Sequence, residues 1–242
     1  MRSAPCTPVT IERMLAMSAT NAVIFDMDGV LIDSEIAYRD LHQRFFASRG
    51  VEVSIDEWNL LAGSSRKVER RYYEMWWERS LGERLSGEEI AALEHEYSKR
   101  NPIDHAAIMN PGVPETLAAL RERGLRLALA SSSPLHYIRK VLDVCGLAEF
   151  FEVVESGDEL KQSKPHPEIY LLTLEKLGLP ASSCCAVEDS DYGIEAARGA
   201  GIYTIAKREE RFNFTQAEAN AIVDGIPDVI GAVEDYLGDA AR

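Results

Sequence analysis

Short apolar runs bounded by polar or glycine-containing turns stand at Ala22–Phe25, Leu125–Ala130, Phe151–Val154, Cys184–Val187 and Ile202–Ala206. Their apolar residues are consecutive rather than alternating, so they predict strands buried on both faces, as in a parallel sheet covered by helices. Helical patterns fill the gaps at Pro114–Arg123, Pro134–Cys145 and Pro167–Leu177, closed by Gly124, Gly146 and Gly178. Proline suits the first helical turn, where the N–H has no partner anyway, and glycine takes the left-handed conformation that ends a helix. The alternation predicts an α/β fold with a Rossmann-like parallel-sheet core.

From Glu35 to Ile108 the pattern changes to helical periodicity without a strand. Helices are predicted at Ile36–Arg49, Asp56–Leu61, Arg66–Ser80 and Gly87–Lys99, separated by Gly50, Gly63 and Gly82. Asn110-Pro111-Gly112 is a turn signal where the chain rejoins the α/β pattern. The expected organisation is a leader without order over residues 1–20, a core from 21–34 and 109–242, and an inserted all-helical cap over 35–108. An insertion directly after the first strand sits over the carboxyl ends of the sheet, where open α/β folds place ligands, so it is expected to act as a lid.

Composition narrows the function. The 242 residues carry 26 Lys and Arg against 40 Asp and Glu, a net charge of −14, which repels polyanions and argues against nucleic acid or an anionic membrane as partner. No run reaches the ~18 apolar residues of a membrane-spanning helix. A cytoplasmic enzyme of unstated oligomeric state is expected. Cys6, Cys145, Cys184 and Cys185 lack the spacing of a zinc site, and reduced thiols are expected. Residues 1–20 lack the apolar stretch of a secretory signal, and Met17 stands just ahead of the first strand.

Asp26-Met27-Asp28-Gly29 follows the first strand directly. Asp-x-Asp-Gly also begins calcium loops, but these need Gly at the sixth position and Glu at the twelfth, where this chain has Leu31 and Ala37. Ser131-Ser132-Ser133, Lys164 and Glu188-Asp189 occupy corresponding places after later strands. Singly, these read as helix caps or surface charges. Jointly, they fall on one edge of a parallel sheet. Asp26, Asp28, Glu188 and Asp189 gathered there repel one another unless a cation sits among them, and all-oxygen ligation with room for phosphate oxygens suits Mg²⁺. With Lys164 and the hydroxyls of Ser131 and Ser132 added, the site can hold a phosphoryl group. Two aspartates can then divide the roles of nucleophile and acid/base.

FDMDGVLIDSE, LALASSSP, SKPHPEIY and AVEDSDYGIEAARGAG resemble, in order, the four motifs of the haloacid dehalogenase superfamily, and the resemblance runs from about Asn21 onward. It implies Asp26 as nucleophile, Asp28 as general acid/base, Ser131 as phosphate ligand and Lys164 as the cation between nucleophile and phosphoryl group. Asp189, with Glu188, the Asp26 carboxylate and the Asp28 main-chain carbonyl, is implied to hold Mg²⁺. The cap is similar to that of the subgroup with β-phosphoglucomutase and many small-metabolite phosphatases. Dehalogenases and phosphonatases of the superfamily lack an aspartate two residues after the nucleophile, so the resemblance favours phosphate-ester chemistry.

Phosphatase and hexose phosphomutase differ in whether water or a sugar phosphate receives the phosphoryl group. Gly63-Ser64-Ser65-Arg66 resembles the element with which the mutases hold a second phosphate, which makes Arg66 a substrate-binding candidate, with Lys67, Arg70 and Arg71 nearby. Tyr38 stands where the mutases carry a histidine. The expected activity is a Mg²⁺-dependent phosphatase of a small phosphorylated metabolite, a sugar phosphate, with the mutase as alternative. A receiver-like phospho-switch fits poorly, since Asp28 supplies a hydrolysis catalyst. Tyr72, Tyr73, Trp76 and Trp77 have the spacing of a buried helix face and are expected to pack. No metal role is assigned to the five histidines, His136 and His166 included.

Overall fold

The computed structural model describes residues 21–61, 66–158 and 160–240; the leader, Met17, Cys6 and the Gly63-Ser64-Ser65 element lie outside them. Six parallel strands, β1 (Ala22–Phe25), β2 (Arg126–Ser131), β3 (Val153–Ser156), β4 (Cys184–Glu188), β5 (Tyr203–Lys207) and β6 (Ala221–Val223), form one sheet in the order β3-β2-β1-β4-β5-β6. β1 is central, in register with Leu129 of β2 and Val187 of β4 at Phe25. The order reverses direction beside β1, which opens a crevice at the strands' carboxyl ends.

Each central strand divides its side chains by size. Val23, Phe25, Leu127, Leu129, Cys185 and Val187 face α5 (Val113–Glu122), α6 (Leu135–Val144) and α9 (Val229–Ala240). Ala22, Ile24, Ala128, Ala130, Cys184 and Ala186 face α7 (Glu168–Leu177) and α8 (Asp191–Gly199). Small residues on the second face let α7 and α8 lie close to the sheet, and every one of these strand residues is sealed from solvent. The expected element types hold, with shifted ends. β3 begins two residues later than the Phe151–Val154 expectation, because Ala148–Phe150 forms a 3₁₀ turn ahead of it. β6, α8 and α9 go beyond the expected elements; β6 is a three-residue edge strand with Ile222 exposed, too short to leave a pattern.

Between β1 and α5 the chain forms α1 (Ser34–Ser48), α2 (Ile55–Asn59), α3 (Arg66–Leu81) and α4 (Gly87–Arg100). Ser54 with Glu57 and Ser86 with Glu89 form reciprocal capping boxes that satisfy the first N–H groups of α2 and α4. The helices close on Phe45, Phe46, Val51, Trp58, Tyr73, Trp76, Trp77 and Ile90, so the aromatic cluster of α3 packs as core. The two connections to this unit run side by side: Asp33 N–H donates to Ile108 O at 2.8 Å, and Asn110 N–H to Leu31 O at 2.9 Å. The Asn110 amide also donates to the Gly29 and Val30 carbonyls. Cys145, Cys184 and Cys185 are free thiols. Among the described residues no helix is long and apolar enough to cross a membrane.

Candidate active site

Asp26 leaves β1 with its N–H still bonded to Val187 O, so the sheet fixes its position. Lys164 arrives from the loop after β3 and donates to Asp26 Oδ1 at 2.7 Å, to Glu188 Oε1 at 2.6 Å and to Ala130 O at 3.1 Å. Tyr170 of α7 donates to the same Glu188 oxygen, and the ammonium lies 5.2 Å from the centre of its ring. Burial works against the Lys164 charge, but the Asp26 and Glu188 carboxylates outweigh it and hold its pKa well above the ordinary value. This cation is charged at neutral pH.

Carboxylate oxygens of Asp26, Glu188 and Asp189 lie within 4.8 Å of one another, and all three residues are buried. Burial, followed by mutual repulsion, pushes Asp189 well above the usual carboxylate range, and burial does the same to Asp26 against the pull of Lys164. A crowded all-oxygen donor set of this kind fits a hard divalent cation, which offsets the repulsion. Backbone shape makes the crowding possible. Gly29 has φ of +80°, and a Cβ there would overlap the Asp189 carboxylate. At the start of α8 a Cβ on Gly193 would overlap Glu188 in the same way.

Asp28 faces a different set of partners. Its carboxylate accepts from Ser34 at 2.7 Å, Ser133 at 2.8 Å and Ser131 at 3.4 Å, so the hydroxyls of α1, of the last residue of β2 and of the loop after it converge on it. It is not one of the three carboxylates that lie within 4.8 Å of one another, although its charge acts on Asp26. Ser131 is fully buried, whereas Ser132 is exposed, and Ser133 and Ser131 rather than Ser132 reach Asp28. Arg66 opens α3, but its side chain lies outside the described residues. Arg70 is tied to Glu69 and Glu88.

Residues beyond the sequence expectation complete the surroundings. Gln216, buried and at φ 50°, donates through Nε2 to Asp189 O at 2.5 Å and Lys207 O at 2.7 Å. Arg211 clamps Asp33, the residue ahead of α1, with hydrogen bonds of 2.7 and 2.9 Å, and also holds the buried Glu209. Ser34 lies inside the FDMDGVLIDSE stretch and Ser133 inside the serine triplet, so both carry a signal in the sequence; Gln216 carries none.

A family model described as haloacid dehalogenase-like hydrolase matches residues 20–201. The chain is 38% identical over 184 residues to a phosphorylated carbohydrates phosphatase of Thermotoga maritima, covering 76% of this chain and 83% of that one. It is 32% identical over 210 residues to hexitol phosphatase B of Escherichia coli, covering 84% and 93%. Among solved structures, a candidate β-phosphoglucomutase from Thermotoga maritima superposes with a TM-score of 0.75 at 32% identity, covering 89% of this chain and 99% of that one.

Proposed function

Because the chain belongs to the haloacid dehalogenase-like hydrolases, and is with them a phosphoric monoester hydrolase, we propose that it is a Mg²⁺-dependent phosphatase of a small sugar phosphate. The observation that carries this reading is the buried Lys164 ammonium held between Asp26 and Glu188, with Asp189 beside them and Asp28 on its own set of hydroxyls. The relatives named for phosphorylated carbohydrates and for hexitols support the substrate class.

Asp26, Glu188, Asp189 and the Asp28 main-chain carbonyl would hold Mg²⁺, which supplies charge neutralisation on the phosphoryl oxygens when bound. An Asp26 oxygen attacks phosphorus, and the bond from phosphorus to the ester oxygen breaks. Protonated Asp28 gives its proton to the departing oxygen, so the leaving group departs as a neutral alcohol. Asp28, now a carboxylate, takes a proton from water as the water oxygen attacks phosphorus; the bond to Asp26 breaks and phosphate leaves. Lys164 stays charged throughout and offsets charge on Asp26 and on the phosphoryl group, while Ser131, at the buried end of β2, and the exposed Ser132 are the phosphate ligands.

The mutase alternative is not favoured: Tyr38 replaces the hinge histidine of the mutases. The test is release of inorganic phosphate from a panel of sugar phosphates with and without Mg²⁺, with isomerisation of β-glucose 1-phosphate followed in parallel. Hydrolysis that needs Mg²⁺ and disappears in Asp26→Asn supports the phosphatase; isomerisation with little phosphate release sinks it. In Asp28→Ala a loss of about 10²–10⁴-fold is expected for a removed acid/base.

A further inference from the structure

Asp33 holds the N-cap position of α1, where an aspartate ordinarily accepts the N–H of the second or third helical residue. Among the described residues its carboxylate accepts no such N–H. It turns instead to Arg211, in the loop between β5 and β6 and 178 positions away along the chain.

The Arg211 guanidinium is used on two edges. Nη1 and Nη2 donate to Asp33 Oδ2 at 2.7 Å and Oδ1 at 2.9 Å, while Nε and the same Nη2 donate to Glu209 Oε1 at 2.9 Å and Oε2 at 2.5 Å. Only a planar fork can hold two carboxylates in this way. The Glu209 side is the fixed one. Glu209 is buried, and although burial pushes its pKa up, the hydrogen bonds from Arg211 outweigh this and hold it below the ordinary carboxylate value. Its N–H donates to Gln216 Oε1, and the N–H groups of Thr215 and Gln216 donate to the Asp191 carboxylate at 2.9 and 2.7 Å, which ties the loop to the start of α8. Arg211 therefore reaches Asp33 from an anchored base. With side chains 42% and 30% exposed, the Arg211–Asp33 pair adds little to stability, and what the fork fixes is geometry.

The residue after Asp33 makes that geometry matter. Ser34 is buried, and among the described residues it alone donates to Asp28 Oδ1, whereas Ser131 and Ser133 both donate to Oδ2. The turn from Asp28 to Asp33 is short and tied to itself, with Gly29 N–H on Ile32 O at 2.7 Å and Leu31 N–H on Met27 O at 2.9 Å. A shift of Asp33 thus passes to Ser34 and to the carboxyl group that Ser34 holds.

We propose that Arg211 is a positioning residue for the acid/base Asp28, acting through Asp33 and Ser34. The proposal rests on the phosphatase reading above. Its test compares kcat/KM for phenyl phosphate and p-nitrophenyl phosphate, which differ in how much the leaving oxygen needs a proton: nitrophenolate departs without one, phenolate benefits from Asp28. Arg211→Met and Asp33→Ser are each expected to lower the phenyl phosphate value at least ~10-fold more than the p-nitrophenyl phosphate value, a part of the ~10²–10⁴-fold that a placed acid supplies. The ratio compares two esters on one enzyme, so loss of folded protein cancels. Asp33→Ser also leaves the Arg211–Glu209 pair intact and supplies a good N-cap hydroxyl, which separates the clamp from the helix end. Arg211→Lys keeps the charge without the fork and is expected to share the loss, while Arg208→Met, which removes the neighbouring pair with Asp224, is expected to leave the ratio unchanged. A ratio unmoved in Arg211→Met or in Asp33→Ser, a wild-type ratio in Arg211→Lys, or a shift in Arg208→Met as large as in Arg211→Met overturns this inference alone. No Mg²⁺-dependent hydrolysis of any ester by the wild type overturns the phosphatase reading with it.

Discussion

Gly29 and Asp189 meet so closely that position 29 has no room for a side chain: a Cβ there would occupy the space of the Asp189 carboxylate. Gly29→Ala is therefore expected to lower kcat/KM by about 10²-fold, the cost of an ångström-scale misplacement in a reacting site. Gly82→Ala is the matched control, since Gly82 also has positive φ, +70°, but nothing lies within 4 Å of its Cβ position. It should lose only about 1–2 kcal/mol of stability, the left-handed penalty, and keep its activity. Thermal melting and kinetics of the two variants check the contrast; equal activity in both would show that the Asp189 contact does not matter.

Lys164 is the counterion of two buried carboxylates, with side chains 9% and 1% exposed. Removing it as Lys164→Met strands both charges, and a loss of about 3–5 kcal/mol is expected in urea unfolding without Mg²⁺. Activity should fall about 10²–10³-fold, as for loss of a group that offsets developing charge. A variant of unchanged stability would mean that Asp26 and Glu188 do not depend on this cation.

Gln216 holds the Asp189 carbonyl and the Lys207 carbonyl with one amide and accepts the Glu209 N–H with its oxygen. Gln216→Ala is expected to weaken Mg²⁺ binding about 10–100-fold, the usual cost of losing a partner behind a metal ligand. Titration calorimetry with Mg²⁺ alone reads this directly, and an unchanged dissociation constant would reduce Gln216 to a loop residue.

The parallel sheet is legible in the sequence because β1, β2 and β4 are uninterrupted apolar runs ending in the charged and hydroxyl residues that meet in the crevice. Asp26, Lys164, Glu188 and Asp189 group together on sequence alone, since a parallel sheet sends all its strand ends to one edge. Ser133 cannot be told from Ser132 in this way, because that choice depends on a backbone turn after β2 that places one hydroxyl on Asp28 and leaves the other exposed. Gln216 is invisible for another reason: it acts across more than two dozen residues of chain, by a side chain with neither charge nor motif. The polar cluster in which Tyr73 OH meets His42 and Glu69 is half legible. Tyr73 fits the apolar stripe of α3, but its hydroxyl partners come from α1 and from its own preceding turn.

Glu94 makes stability depend on pH. Its ordinary pKa of 4.5 is raised to about 7 by desolvation and then by Glu69, with Arg70 opposing and His42 facing it. A raised folded-state value means that the stabilising protonated form is fully present below about pH 4.5 and is lost as pH climbs to about 7. Over that window the wild type should lose on the order of 2 kcal/mol that Glu94→Gln does not lose, allowing for the group's partial exposure. Thermal melts of both proteins at about pH 5 and about pH 8 check it; parallel shifts in the two would refute the assignment.

The side-by-side connections at Asp33 with Ile108 and Leu31 with Asn110 bear on how such a protein can change over evolutionary time. An insert whose two ends are already paired is, to the rest of the chain, a closed loop, and doubling the length of a flexible loop adds only about 0.6 kcal/mol of closure entropy. Any other insert whose ends meet at the same spacing could be grafted at this point while the strand ends keep their arrangement. Descendants could thus exchange what they recognise and inherit how they react.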